Sequence, residues 1–248
     1  MPIVRNVVNK LMLSVFIEGQ MLAANPSIAP RLRESMGSKG LFPLPLPTFD
    51  QAQIQMPGMP FWAFSNSDGT RNLTIAANRV NYVFTGGVAT TAGTPTWGSF
   101  VDEGIPILVD VLKTTERVGH RIAFIVEELA TSDVQEPVRS RVPSDIASLL
   151  LKIPDGLGTD LQEWTWRVIL RLEEDGETYN LIPEIQRVFV TAPGGSPTDA
   201  LLVKFDVNSV PEVTALRFDP DRLPTDLARL VALARRLDDS VAKMTGDY

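Results

Sequence analysis

The stretch TTERVGHRIAFIVEE, residues 114–128, contains the chain's one histidine and its clearest strand pattern. Alternate residues of a strand share a face, so Val118, His120, Ile122, Phe124 and Val126 point one way. Arg117, Gly119, Arg121, Ala123, Ile125 and Glu127 point the other way. One face is apolar except for an imidazole, and the other sets two arginines side by side. On this pattern His120 is a core residue, kept neutral by burial, and not a catalytic base.

Working outward, the same period of two recurs in short segments separated by turn chemistry. MLSVFI precedes it; PFWAFS, RNLTIAA and RVNYVFT form a meander around the Asp68-Gly69 turn. Strand one is expected over Val8–Ile17, apolar on both faces and therefore central. EWTWRVILRLEE follows later, with Trp164, Trp166, Val168, Leu170 and Leu172 on one face, and turns at Asp175-Gly176 into TYNLIPEIQRVFVTA. ALLVKFDVNSV carries Leu201, Val203, Phe205 and Val207 in period two.

Helical spacing appears in four places. One helix should follow Asn25 as cap and Pro26, with Leu32 and Met36 inward. A second runs from Trp97 to Leu112, where Pro106 predicts a kink or a split, since an interior proline costs about 3 kcal/mol. A short third covers Asp145–Lys152. The last, Pro224–Met244, buries Leu227, Leu230, Val231, Ala234, Leu237 and Val241. GLFPLPLPT, with Pro43, Pro45 and Pro47, reads as an extended connection whose leucines plug a groove.

Segregated antiparallel strands and helices predict an α+β fold of β-meanders packed by helices. Residues 1–130 and 145–248 are expected to form two α+β halves joined by a polar, proline-punctuated linker, 131–144. Both halves read helix, strands, helix, which suggests an old duplication.

Composition narrows the function. The 248 residues carry a formal net charge of −7 and no basic run, so nucleic-acid binding is not expected. With no cysteine there is no disulfide, thiolate metal site or cysteine nucleophile. The apolar run Leu11–Ile17 meets Glu18 at once and suits a strand better than a secretion signal. No apolar stretch reaches the roughly 20 residues of a membrane span. A cytoplasmic protein without membrane contact is the expectation.

Among chemistries, no G-x-S-x-G elbow or phosphate-binding G-x-x-x-x-G-K-[ST] loop occurs. The glycines of TGGVATTAG read as a linker, and GGSP at 194–197 reads as a turn. Asp206, Asp219 and Asp221 could hold Mg²⁺ if the fold joined them; turn and cap roles are the plainer expectation. Arg117 and Arg121 could pair a carboxylate or phosphate of a partner, or Glu127 internally. Trp164 and Trp166 could line an interface.

Trp97 with Phe100, a helix, then RVGHRIAFIVEE resemble the signature of a sporadically distributed prokaryotic protein family with chains of about this length. In that family an Arg-aliphatic-Gly-aliphatic-Arg strand follows an aromatic-rich helix. LLVKFDVNSV and the final helix are similar to its C-terminal part. His120 stands where the family usually has an aliphatic residue, and an asparagine expected after the strand's arginine is not matched in AFIVEE. The resemblance implies a fold, supplies no catalytic residues, and suits a mobile-element or phage-defence setting. The expected function is therefore a non-catalytic, protein-binding or accessory subunit of a bacterial complex, without a cofactor, whose partner is another protein or itself. The rivals are a carboxylate-dependent Mg²⁺ hydrolase or anion-binding enzyme, and a self-assembling structural subunit.

Overall fold

A computed structural model of the protein describes residues 4–18, 27–45, 60–86, 94–131, 163–191 and 197–245. Within them lie ten strands and three helices, and the strands form one antiparallel sheet. The α+β expectation holds. In chain order the elements are β1 (Val4–Ile17), α1 (Ile28–Ser38), β2 (Phe42–Pro43), β3 (Pro60–Ser65), β4 (Arg71–Ala76) and β5 (Arg79–Thr85). Next come α2 (Trp97–Thr115), β6 (Gly119–Thr131), β7 (Thr165–Arg167), β8 (Leu170–Glu174), β9 (Glu177–Thr191), β10 (Pro197–Ser209) and α3 (Leu223–Thr245).

Across the sheet the order is β2-β3-β4-β5-β1-β6-β10-β9, with β7 and β8 both on the far side of β9. The quoted strand, β6, pairs with β1 on one side and β10 on the other. The sheet is thus continuous across the expected boundary between the halves. Its two sides contribute six and four strands in unlike order, so the topology lends the duplication no support. Residues 132–144 and the expected helix Asp145–Lys152 lie outside the described residues, as do Asn25 and Pro26.

All three helices lie on one face of the sheet. The residues that alternate onto it form a single core: Leu11, Leu13 and Val15 of β1, Ile122, Phe124 and Val126 of β6, and Val203, Phe205 and Val207 of β10. Against them pack Leu32 and Met36 of α1, Leu108 and Leu112 of α2, and the expected apolar stripe of α3. The expectation that β1 is apolar-buried on both faces fails. Met12 and Phe16, on the helix-free face, are only half-buried, because β1 is central through its hydrogen bonds and not through cover on both sides.

Three further expectations need correction. Pro106 does not split α2, which runs as one helix from Trp97 to Thr115. Both Pro106 and Asp102, whose carbonyl loses its partner, are exposed, so water can satisfy that carbonyl. The strand expected through EWTWRVILRLEE is broken at Val168 and Ile169. Opposite stands Pro183 of β9, which accepts from Val168 N–H at 3.3 Å but has no N–H to return. Phe42 and Pro43 form a short edge strand, and Leu44 is exposed and plugs nothing; the rest of that proline segment, from residue 46, lies outside the described residues.

Close approach of α2 to the sheet depends on Gly104. A Cβ there would lie 2.7 Å from Tyr82 Cδ1 and 2.8 Å from Leu13 Cδ1. Tyr82 is fully buried, stacks on Phe100 at 5.2 Å and donates to Glu103 Oε1 at 2.6 Å, so it cannot yield. Gly104→Ala is expected to lower stability by about 1–3 kcal/mol despite alanine's better helix propensity, read by urea denaturation.

Candidate binding surface

The face that carries no helix among the described residues holds the side chains that alternate away from the core. Register places them in rows that cross the strands. One row is a ladder of alternating charge: Lys10 of β1, Glu127 of β6, Lys204 of β10, Glu184 of β9 and Arg167 of β7 are successive Cα partners. Lys10 Nζ lies 3.7 Å from Glu127 and Arg167 Nε 3.4 Å from Glu184. A second row is of hydroxyls and amides. Ser14 donates to Asn81 Oδ1 at 2.9 Å, and Asn81 donates to Thr74 Oγ1 at 3.3 Å. Further along, Asn208 Oδ1 accepts from Asn180 at 3.3 Å and from Arg121 at 3.1 Å, while Asn208 Nδ2 donates to Asp206 at 2.7 Å. Between these rows Val83, Met12 and Ile125 sit side by side, each half-buried.

Arg121 lies on this face, its guanidinium 4.6 Å from the Phe16 ring centroid. Burial pulls its pKa down; Asp206 and Glu212 act the other way. Its internal partner is Asn208 and not Glu127, which pairs with Lys10. Arg117 is not beside it. Arg117 precedes β6 and its N–H closes the end of α2 on Leu112 O at 3.0 Å. Trp164 and Trp166 are not on this face either: Trp164 is buried in the core and Trp166 packs against it. Near that edge Trp164, Gln186, Arg187 and Phe189 line a hollow of about 410 Å³, and the buried Trp164 Nε1 has no hydrogen-bond partner among the described residues.

His120 departs from the expected core position. Phe16 pairs with Arg121 and Ile17 with Gly119, so β6 carries one extra residue here, a bulge at His120. Gly119 takes the core-side place: a Cβ on it would lie 2.6 Å from Val15 Cγ1, and its backbone bridges to Phe218. His120 is consequently half-buried, with Nδ1 buried and unpartnered among the described residues. Burial lowers its pKa; Glu18 opposes this, and Arg217 and Arg121 add to it. The imidazole is therefore neutral near pH 7, as expected, though for a different position. The folded state resists protonation that the unfolded chain accepts, so stability is lost as pH falls below about 6.5. Melting temperature should drop between about pH 7.5 and 5.5, and His120→Gln should reduce that drop.

The three aspartates are not brought together. Asp206 bonds Asn208; Asp219 Oδ1 accepts from the N–H groups of Asp221 and Arg222 at 2.9 Å; Asp221 is exposed and pairs with Lys113. Among the described residues no group of three or more His, Asp or Glu is placed to hold a metal ion. No described helix is long and apolar enough to cross a membrane.

Sequence inspection missed the ladder, since Lys10, Lys204, Glu184 and Arg167 come from strands far apart in the chain. It also missed an ionic cluster behind the sheet. Glu177 receives Arg217 Nε at 3.0 Å and Arg222 at 3.2 Å; Asp226 receives Arg222 at 2.9 Å and Arg229 at 3.6 Å. This cluster ties the start of α3 to the β8–β9 turn. Comparison of the chain with protein-family models and with curated proteins finds no match.

Proposed function

We propose that the chain is a non-catalytic, protein-binding accessory subunit and that its binding surface is the helix-free face of the sheet. The observation that carries this is the half-buried apolar strip Val83, Met12 and Ile125, framed by a charge ladder and an amide row. An apolar strip with a polar frame is how protein interfaces are built. The separation of Asp206 from Asp219 and Asp221 disfavours the Mg²⁺ hydrolase. An accessory role also agrees with the resemblance of the β6 and α2 segments to a sporadically distributed prokaryotic family, and with it a mobile-element or phage-defence setting.

Met12→Glu on this face and Arg235→Glu on the outer side of α3 test it by purification from the native cell. The expected outcome is a stoichiometric partner, or self-association, kept by Arg235→Glu and lost by Met12→Glu. A partner retained by Met12→Glu, or substrate turnover by the isolated chain, contradicts the proposal.

A further inference from the structure

The occupant of this face can be named from its charge pattern, and we propose that it is a second copy of the chain, docked face to face about a two-fold axis that runs parallel to the strands between β6 and β10. The inference rests on the reading of this face as a binding surface.

Six strands are symmetric about that axis: β5, β1 and β6 on one side, β10, β9 and the β7–β8 edge on the other. A two-fold rotation about a strand-parallel axis inverts each row on itself. The ladder row reads Thr85, Lys10, Glu127, then Lys204, Glu184, Arg167. Inverted, it puts Glu127 opposite Lys204 of the other copy and Lys10 opposite Glu184, each twice over, and leaves Arg167 facing neutral Thr85. The four charges nearest the axis, Lys10, Glu127, Lys204 and Glu184, alternate evenly about it and are therefore complementary to their own rotated copy.

Two residues further along, Val83 meets Ile169 of the other copy, an exposed isoleucine at the β7–β8 break, Met12 meets the largely buried Ile182, and Ile125 meets Asp206. In the row through Phe16, exposed Arg79 at one end meets exposed Glu173 at the other. Among twelve cross-axis positions in four rows, no two like charges face each other.

The extent fits as well. Strands about 4.8 Å apart and rows about 6.8 Å apart give six strands by four rows a footprint of roughly 800 Å² per copy, in which the row of Ser14, Ala123, Asn208 and Asn180 is already buried and the accessible contacts come from the other three rows. Twisted sheets stack at about −30°, which displaces the outer pairs most and the pair beside the axis, Glu127 with Lys204, least. That pair is the one to test.

Sedimentation velocity between about 1 and 100 µM reads the mass, over the range where such an interface would associate. The wild type is expected to pass from monomer to dimer. Lys204→Glu sets one carboxylate opposite Glu127 of each copy, and Glu127→Lys sets one ammonium group opposite Lys204 of each copy, so each variant alone should self-associate at least about tenfold more weakly. In an equimolar mixture both central pairs are again of opposite sign, and dimers holding one of each variant should reappear. That reappearance also shows that both variants are folded. A wild type that stays monomeric, single variants that dimerise like the wild type, or a mixture that stays monomeric while the wild type dimerises overturns the inference. A monomeric wild type whose capture of a different protein still depends on Met12 overturns the second copy alone and leaves the binding face standing.

Discussion

Glu177→Ala is expected to lower the unfolding free energy by about 3–5 kcal/mol, the usual cost of removing one member of a buried ion pair. Glu177 and Arg217 are 12% and 11% exposed, and Arg217 Nε reaches the carboxylate at 3.0 Å while its plane lies 4.7 Å from the Phe218 ring centroid. Without Glu177 the guanidinium stays in place, because its segment is bonded to Gly119 on the sheet, and its charge is left uncompensated. Arg222, more exposed, can turn to water or to Asp226. Asp226 makes the informative contrast. It is almost wholly buried, and burial raises its pKa against the pull of Arg222 and Arg229. Its ionised form is already disfavoured, so Asp226→Asn should cost distinctly less than Glu177→Ala. The sign with pH follows: the folded state holds this proton more tightly than the unfolded chain, so Asp226 favours folding at acid pH and withdraws that contribution as pH rises through its raised pKa. Urea denaturation of both variants checks the ranking.

Phe124→Ala and Ile125→Ala, neighbours on β6, should differ sharply. Phe124 is fully buried and meets Trp97 edge-on at 6.0 Å, and Trp97 is itself held by Nε1 donating to Glu128 at 2.8 Å. Truncating Phe124 opens a cavity beneath α2 and α3 and should cost about 3–5 kcal/mol. Ile125 is half-buried on the opposite face, where truncation leaves a dent open to water and no cavity, so a loss of about 1 kcal/mol is expected. Comparable losses at the two positions, measured by the same denaturation experiment, would contradict a sheet covered by helices on one side.

What could be read from the sequence was local. Period two in Leu201–Val207, the stripe of α3, and the Asp68-Gly69 and Asp175-Gly176 turns each depend on neighbours a few residues away, and each stands in the structure as expected. What could not be read was non-local. Strand order β1-β6-β10-β9 sets Lys10 beside Glu127 and Lys204 beside Glu184, and no spacing within one strand reveals such pairs. Unbroken alternation puts His120 on the core face, and a single bulged residue moves it. Arg117 precedes β6 and its N–H closes the end of α2, so half of the expected arginine pair belongs to a helix end. Aromatic side chains on a strand could line an interface, but the segment of Trp164 and Trp166 turns that side toward the helices.

The central claim, that the helix-free face is where this protein binds, is tested most directly by a lysine footprint. Lys10 and Lys204 lie on that face, while Lys113, 57% exposed, lies on α2 behind the sheet. Acetylation rates at the three amines are compared by mass spectrometry in dilute protein and in the associated state, whether self-associated or with a co-purified partner. Protection of Lys10 and Lys204 with Lys113 unchanged is the predicted result. Equal rates at all three in both states, or protection of Lys113 alone, would contradict it.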